Sequence, residues 1–262
     1  MRVLILGTGP AGLAAAVAAR TLGCHITLVS QTQRPSTLYG CQYLHAPVPT
    51  YEDMKHTIVD YRLIGTSDQY RKKVYGDSWK GKVSPEDFVG KHDAWDIRQT
   101  YNHMWTDIIS AQRAALAIMT IQFGQVEHLL NFKPDAIIST IPAPHLCTEG
   151  HLFRRHLIYA AGDKFPKAAQ GGRDDSVVCD GTDENEWYRI STVFGYSTTE
   201  WPQRPFATTD REAAQVVKPI GTECDCHPEI FRAGRYGTWD KKVLVSDVFP
   251  AVLNHLKNVR IP

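Results

Sequence analysis

The sequence predicts an α/β fold, three layers built on a mostly parallel sheet, and three features of its N-terminus carry that expectation. Val3 to Leu6 is an apolar, β-favouring run of the kind a strand buried on both faces requires. The run stops at Gly7-Thr8-Gly9-Pro10-Ala11-Gly12, a G-x-G-x-x-G set directly between that strand and a helix. The helix, LAAAVAARTL, consists of strong helix formers and closes at Gly23, after which His25 to Val29 reads as the second strand.

The glycine spacing has a physical reason. Gly7 makes the tight turn, Gly9 lets backbone approach a pyrophosphate, and Gly12 lets the helix pack on the strand. Pro10 and Ala11 complete the turn, and unpaired N–H groups at the helix start face phosphate charge. Such a strand-turn-helix-strand unit reads as a Rossmann-like, dinucleotide-binding domain. Its second strand should end in an acid that holds the adenosine ribose. Here Ser30 takes that place, Gln31 follows, and Arg34 lies a few residues on. Either Ser30 and Gln31 hold the ribose through neutral hydrogen bonds, or Ser30 and Arg34 hold a 2′-phosphate, which would make the ligand NADP. The fingerprint alone does not choose between FAD and a nicotinamide nucleotide.

The 262 residues suffice for one large α/β domain, or for such a domain with an inserted cap. A formal net charge of +1 gives no strong attraction to nucleic acid or to an anionic membrane, although it does not exclude nucleic acid. No apolar run approaches the roughly 18 residues needed to span a bilayer. Arg2 before an apolar run has the look of a signal peptide, but the glycines stand in the nucleotide-binding register, so the segment reads as mature fold. Cys24, Cys41, Cys147, Cys179, Cys224 and Cys226 show no disulfide framework, which makes a reducing cytoplasm the default location.

Along the chain, Gly40-Cys41-Gln42 reads as a glycine-bearing loop at the carboxyl ends of the strands, where a ligand's reactive end sits. His45 beyond it is a candidate acid/base or flavin neighbour, set against a hydrogen-bonded structural histidine. Cys41 lacks a CxxC partner and reads as a small buried residue. Residues 50 to 95 keep no period of 2 or 3.6 and read as an irregular insertion with short strands, its Arg71-Lys72-Lys73 cluster a solvated face. Ser84-Pro85-Glu86-Asp87-Phe88 has the cap, proline and early acids of a helix start. From Asp96 to about Met119 a helical pattern puts Ile97, Tyr101, Trp105, Ile108 or Ile109, and Ala115 on one face, a core stripe. Ile121 to Phe123 is a short strand candidate, and residues 135 to 140 a clearer one, broken by Ile141-Pro142-Ala143-Pro144.

At this segment a resemblance becomes specific. DAIISTIPAPHL is similar to the strand and proline loop of flavoproteins of the UDP-galactopyranose mutase and amine-oxidase superfamily. The C-terminal HPEIFRAGRYGTWDKKVLVSDVFPAVLNHLKN resembles their closing strand, Gly-Arg turn and final helix. The resemblance covers the first 45 residues, about 15 near position 140 and the last 35. It implies FAD as cofactor, with Thr140 and Pro142 beside the dinucleotide and Gly234 and Arg235 near the isoalloxazine. The helix start after Ser246, at Asp247 and Val248, would then face flavin or pyrophosphate. A competing turn is Gly162-Asp163, which ends a strand-like run but precedes no sustained amphipathic helix.

Residues 176 to 206 alternate as antiparallel strands do and carry Trp187-Tyr188-Arg189, Phe194-Gly195-Tyr196 and Trp201-Pro202. Trp187, Tyr188, Arg189 and Tyr196 suit a substrate wall, with Arg189 pairing an anionic group, but equally a sheet face of cross-strand aromatic pairs. Tyr188 and Arg189 join His45 as catalytic candidates. Cys224-Asp225-Cys226-His227 has no second ligand pair at suitable spacing, so no metal is assigned. The expected organisation is a discontinuous FAD-binding domain of residues 1-48, 120-165 and 228-262. A smaller β-rich substrate or cap region, 49-119 and 166-227, is inserted in it. The expected function is an FAD-dependent oxidoreductase taking a hydride from a small polar substrate. The alternatives are a redox-neutral flavoenzyme of the sugar-mutase kind and a non-catalytic dinucleotide-binding module.

Overall fold

Apolar strand, glycine turn and alanine-rich helix fold in the order expected. In the computed structural model, which describes residues 1–38, 43–77, 84–119, 127–162, 174–205 and 213–259, β1 (Arg2–Leu6) leads into α1 (Pro10–Thr21), and β2 (His25–Ser30) lies parallel to β1. Val3 and Ile5 enter the core on one face of β1, Leu4 and Leu6 the core on the other. Residues 12 to 19 of α1 are all buried, as small side chains allow for a helix packed on several sides.

The next segment is more regular than its composition suggests. β3 (Tyr43–Leu44) is followed by β4 (His56–Ile64), α2 (Ser67–Tyr75) and β5 (Gly90–Asp96). In place of an irregular insertion there is a nine-residue strand and a nine-residue helix. Only Val59 and Tyr61 of β4 are buried, so its alternation is too short to register in the sequence. A capping box between Thr66 and Gln69 starts α2. The helix start at Ser84 yields one 3-10 turn, Pro85–Phe88.

α3 (Ile97–Trp105) begins at Asp96, whose side chain accepts from the Arg98 and Gln99 amides, and buries Ile97, Tyr101, Met104 and Trp105 against α1. It does not continue to Met119. After a π-helical turn at Thr106–Ser110 and a left-handed Gln112, the chain forms β6 (Ala115–Ile118), which pairs with the open side of β2. β7 (Ala136–Ser139) is the strand expected at 135 to 140. The candidate strand Ile121 to Phe123 lies outside the described residues.

β8 (Phe153–Gly162), β9 (Ser176–Asp180), β10 (Arg189–Val193), β11 (Tyr196–Trp201) and β12 (Ala214–Thr222) precede β13 (Ile230–Arg232), α4 (Gly234–Thr238) and α5 (Val245–Asn258). Two sheets result. The first is parallel, in the order β13-β7-β1-β2-β6. Its winding direction reverses between β1 and β7, the point where a doubly wound sheet opens a crevice at its carboxyl edge. The second runs β12-β8-β11-β10-β9-β4-β5-β3, antiparallel except for β4 against β9. α3 and β6 belong with the parallel sheet, because their apolar faces close its core, whereas β3 and β8 belong to the second sheet.

Candidate functional site

The crevice edge is built by backbone contacts that only glycine permits. Gly7 has φ +103, and its N–H donates to Val29 O at 2.9 Å. A Cβ on Gly12 would lie 2.0 Å from Gly7 O, so strand end and helix start touch through bare backbone. Gly9 differs: a Cβ there would have nothing within 4 Å. The open side of Gly9, just before Pro10 at the first position of α1, is where helix N–H groups are available to phosphate oxygens. Thr140 at the end of β7 donates to Leu6 O through both its N–H and its hydroxyl, each at 2.9 Å, and so locks β7 to the fingerprint turn. Pro142 follows and starts the 3-10 turn Ala143–Leu146.

Ser30 is buried, with its hydroxyl 2.7 Å from that of Thr8 and accepting from Thr32 N at 3.2 Å. Tyr101 of α3 donates to Thr8 O at 2.9 Å and accepts from Ser36 N at 3.0 Å. The loops after β1 and β2 are thus tied together by hydroxyls, a role for Thr8 and Tyr101 that their sequence context did not reveal. Gln31 and Arg34 are exposed on the loop after β2. Gly40 lies outside the described residues, as does Cys41.

The turn after β13 reaches the same place. Gly234 has φ +72, and a Cβ on it would stand 2.8 Å from Ala11 Cβ and 3.5 Å from Val248 Cγ2. The starts of α1, α4 and α5 therefore converge, with Ala233 N donating to Ser139 O at 2.8 Å to hold β13 beside β7. Asp247 is exposed and its carboxylate accepts from Leu244 N at 2.7 Å, capping α5. Arg235 is half-buried, and its Nε, fully enclosed, has no hydrogen-bond partner among the described residues. Gly162, in contrast, ends β8 inside the second sheet, opposite Thr198 of β11, and Asp163 is outside the described residues. Among the described residues, the Gly234 turn touches the fingerprint at Ala11.

α4 also joins the sheets. Tyr236 donates to Val217 O of β12 at 2.8 Å, and Trp239 Nε1 to Arg154 O of β8 at 2.9 Å. Desolvation by surrounding chain, then Arg189, His92 and Arg235, hold the His45 ring below its usual pKa, although its surface stays exposed. Burial pushes the Tyr75 hydroxyl up, while Arg189 and Arg235 oppose it.

The second sheet changes the reading of three residues. Arg189 stands directly opposite Glu200 on adjacent antiparallel strands and donates to its carboxylate, so its charge is already answered within the sheet. Tyr188 is 1% exposed and donates to the same carboxylate, so its side chain packs inside the second sheet's core. Lys218 of β12 donates to Glu200 Oε2 at 2.9 Å. Tyr196 is exposed, with the Arg98 guanidinium 3.8 Å above its ring centre, and Trp187 is half-buried in the loop before β10. Cross-strand and same-face pairing is thus what the aromatic and charged alternation encodes here.

A glycine fingerprint at the reversal point of a parallel sheet, closed by a second glycine turn and accompanied by a second, mostly antiparallel sheet, defines a Rossmann-type α/β fold. Solved structures agree. A tryptophan halogenase from Shewanella frigidimarina matches with TM-score 0.61 and 8% identity over 98% of this chain and 71% of that one. A p-nitrophenol 4-monooxygenase from Pseudomonas putida matches with TM-score 0.57 and 10% identity over 97% and 78%. A flavin-dependent brominase matches with TM-score 0.57 and 9% identity over 99% and 80%. These are likenesses of fold, with halogenases and a monooxygenase among them. No protein-family model and no curated protein sequence matches the chain.

Proposed function

We propose that the chain is an FAD-dependent oxidoreductase acting on a small polar substrate. The observation that carries this reading is the seating of Gly234 between Ala11 and Val248, which brings a second glycine turn onto the fingerprint. The residues present fit the cofactor. Gly9 leaves open space where a pyrophosphate needs it, while Arg235 carries an enclosed Nε without a partner among the described residues. In this reading Gly7, Gly9, Pro10, Ala11, Gly12 and Thr140 hold the dinucleotide, with Ser30, Gln31 and Arg34 on the adenosine side. Pro142, Asp247 and Val248 shape the crevice, and Gly234 and Arg235 lie toward the redox ring. When bound, flavin supplies the acceptor for a hydride or electron pair, which no side chain provides.

The protein's own part is to position and to bias charge. Arg235, whose enclosed Nε has no hydrogen-bond partner among the described residues, favours an anionic substrate or a negatively charged reduced cofactor. His45, whose ring is held below its usual pKa by burial and by Arg189, His92 and Arg235, is our candidate acid/base. Because the Gly234-Arg235 turn is also what the mutase and amine-oxidase resemblance rests on, redox-neutral turnover is the second reading. Substrate conversion without net electron transfer would identify it.

The absorbance spectrum of the purified protein tests the cofactor. A yellow protein releasing FAD on denaturation is expected. A colourless protein that binds NADPH tightly would overturn the proposal.

A further inference from the structure

We propose that Cys147, His151, Cys224 and Cys226 form a zinc(II) site that clips together the two chain crossings between the sheets. Nothing in the flavin reading requires it. Cys147 and His151 lie on the segment that leaves β7 for β8, and Cys224 and Cys226 on the one that returns from β12 to β13. These segments run side by side because β8 and β12 pair up to Phe153 opposite Thr222. Thr222 fastens them further, donating to Leu152 O at 3.0 Å and accepting from Cys224 N at 3.1 Å.

The donor spacing is compatible with a closed tetrahedral site. The four donor atoms all lie within 4.8 Å of one another. His151 Nδ1 is 3.7 Å from Cys147 Sγ and 3.5 Å from Cys226 Sγ. Tetrahedral zinc with bonds of about 2.3 Å to sulfur and about 2.0 Å to nitrogen sets S···N near 3.6 Å and S···S near 3.8 Å. Four protein ligands, three of them thiols, are the composition of a structural zinc site, with no position left for water or substrate.

The surroundings complete it. With Nδ1 toward the sulfurs, His151 Nε2 faces Glu149 at 3.7 Å and Asp225 at 4.0 Å, the carboxylate contact that orients a ligating imidazole. Arg232 donates to Cys224 O at 2.9 Å and Cys226 O at 2.6 Å, and its guanidinium is 3.5 Å from Cys224 Sγ. That fixes the Cys-x-Cys turn and supplies a positive charge beside three thiolates around a dication. Each thiol gives its proton to solvent as its sulfur binds, so the site fills as pH rises. Zinc here would fix how the antiparallel sheet sits on the parallel one, and hence the approach of α4 to the fingerprint.

Metal analysis of the full chain purified under reducing conditions tests this. About one zinc per chain is expected, against less than about 0.1 in Cys226→Ser and His151→Ala. Cys24→Ser, outside the cluster, should keep its zinc, and so should the fingerprint variant Gly9→Val, which separates this inference from the flavin reading. Should the ligand variants fail to fold, cobalt(II) exchanged into the wild-type chain replaces them as the readout. Thiolate-to-cobalt absorption supports the site, and its absence sinks it. Reduced wild-type protein that retains no zinc after refilling and desalting, equal zinc in wild type and ligand variants, or a disulfide among these cysteines would each overturn the proposal.

Discussion

Lys218 on β12 reaches across β8 to place its Nζ 2.9 Å from Oε2 of Glu200, a carboxylate only 2% exposed. Arg189 holds the other oxygen. Burial alone pushes the Glu200 carboxyl up, but Arg189 and Lys218 outweigh it and bring it down to about 2. Replacing Glu200 with Gln leaves two cations in the sheet without their anion. We expect a loss of about 3–5 kcal/mol, read as a thermal midpoint lower by about 10 °C. An unchanged midpoint would show that solvent already screens the cluster.

The same residue sets an acid dependence. Its folded pKa of about 2 lies below the ordinary 4.5, so its contribution is complete above pH 4.5 and is lost as pH falls toward 2. The interval of roughly two and a half pH units corresponds to about 3 kcal/mol. Denaturant titrations at stepped pH should show wild-type stability falling through this window, and Glu200→Gln should show a shallower fall.

Gly12→Ala and Gly9→Ala should separate folding from binding. A Cβ at position 12 meets Gly7 O at 2.0 Å, which no small shift relieves, so helix and strand must part and the thermal midpoint must drop. A Cβ at position 9 meets nothing within 4 Å, and its φ of −67 suits any residue. Gly9→Ala should therefore keep wild-type stability while losing dinucleotide affinity, measured by equilibrium dialysis. A large stability loss at Gly9 would contradict the open side seen there.

Tyr101→Phe removes the hydroxyl that donates to Thr8 O and accepts from Ser36 N. A cost of about 1–3 kcal/mol follows from two lost bonds, one of them leaving a buried carbonyl unpaired. Hydrogen exchange should speed up at the amide of Ser36. Equal protection in both proteins would show that packing alone holds the loop.

Arg235 is expected to raise the reduction potential of bound flavin. Its guanidinium attracts the negatively charged reduced form and not the neutral oxidised one. A charge-assisted bond of about 1.5–3 kcal/mol equals about 30–65 mV for a two-electron couple. Arg235→Ala should lower the midpoint by that amount, and Arg235→Lys by less, since a point charge cannot reproduce the planar fork. Coincident wild-type and Arg235→Ala midpoints in spectroelectrochemical titration would remove Arg235 from the site.

What the sequence determined by itself was local. The strand, fingerprint and helix of residues 2 to 30 follow from apolar runs, alanine propensity and glycine spacing, all resolved within about thirty neighbours. β7 was legible for the same reason; the closing strand, Gly-Arg turn and final helix came from a family resemblance, and the turn forms the short helix α4. Tertiary structure decided what depended on distant pairing. β6 exists because β2 offers an open edge, although its residues continue a helical pattern. Arg189 finds its carboxylate in Glu200, eleven positions on and across a strand pair, a pairing that no sequence period signals. Cys224 and Cys226 lacked partners in the sequence because Cys147 and His151 lie some 75 residues away, joined to them only where β8 pairs with β12. Sequence patterns report the period of a single element, whereas a side chain's partner is fixed by the register between elements, and that register exists only once the sheets have formed.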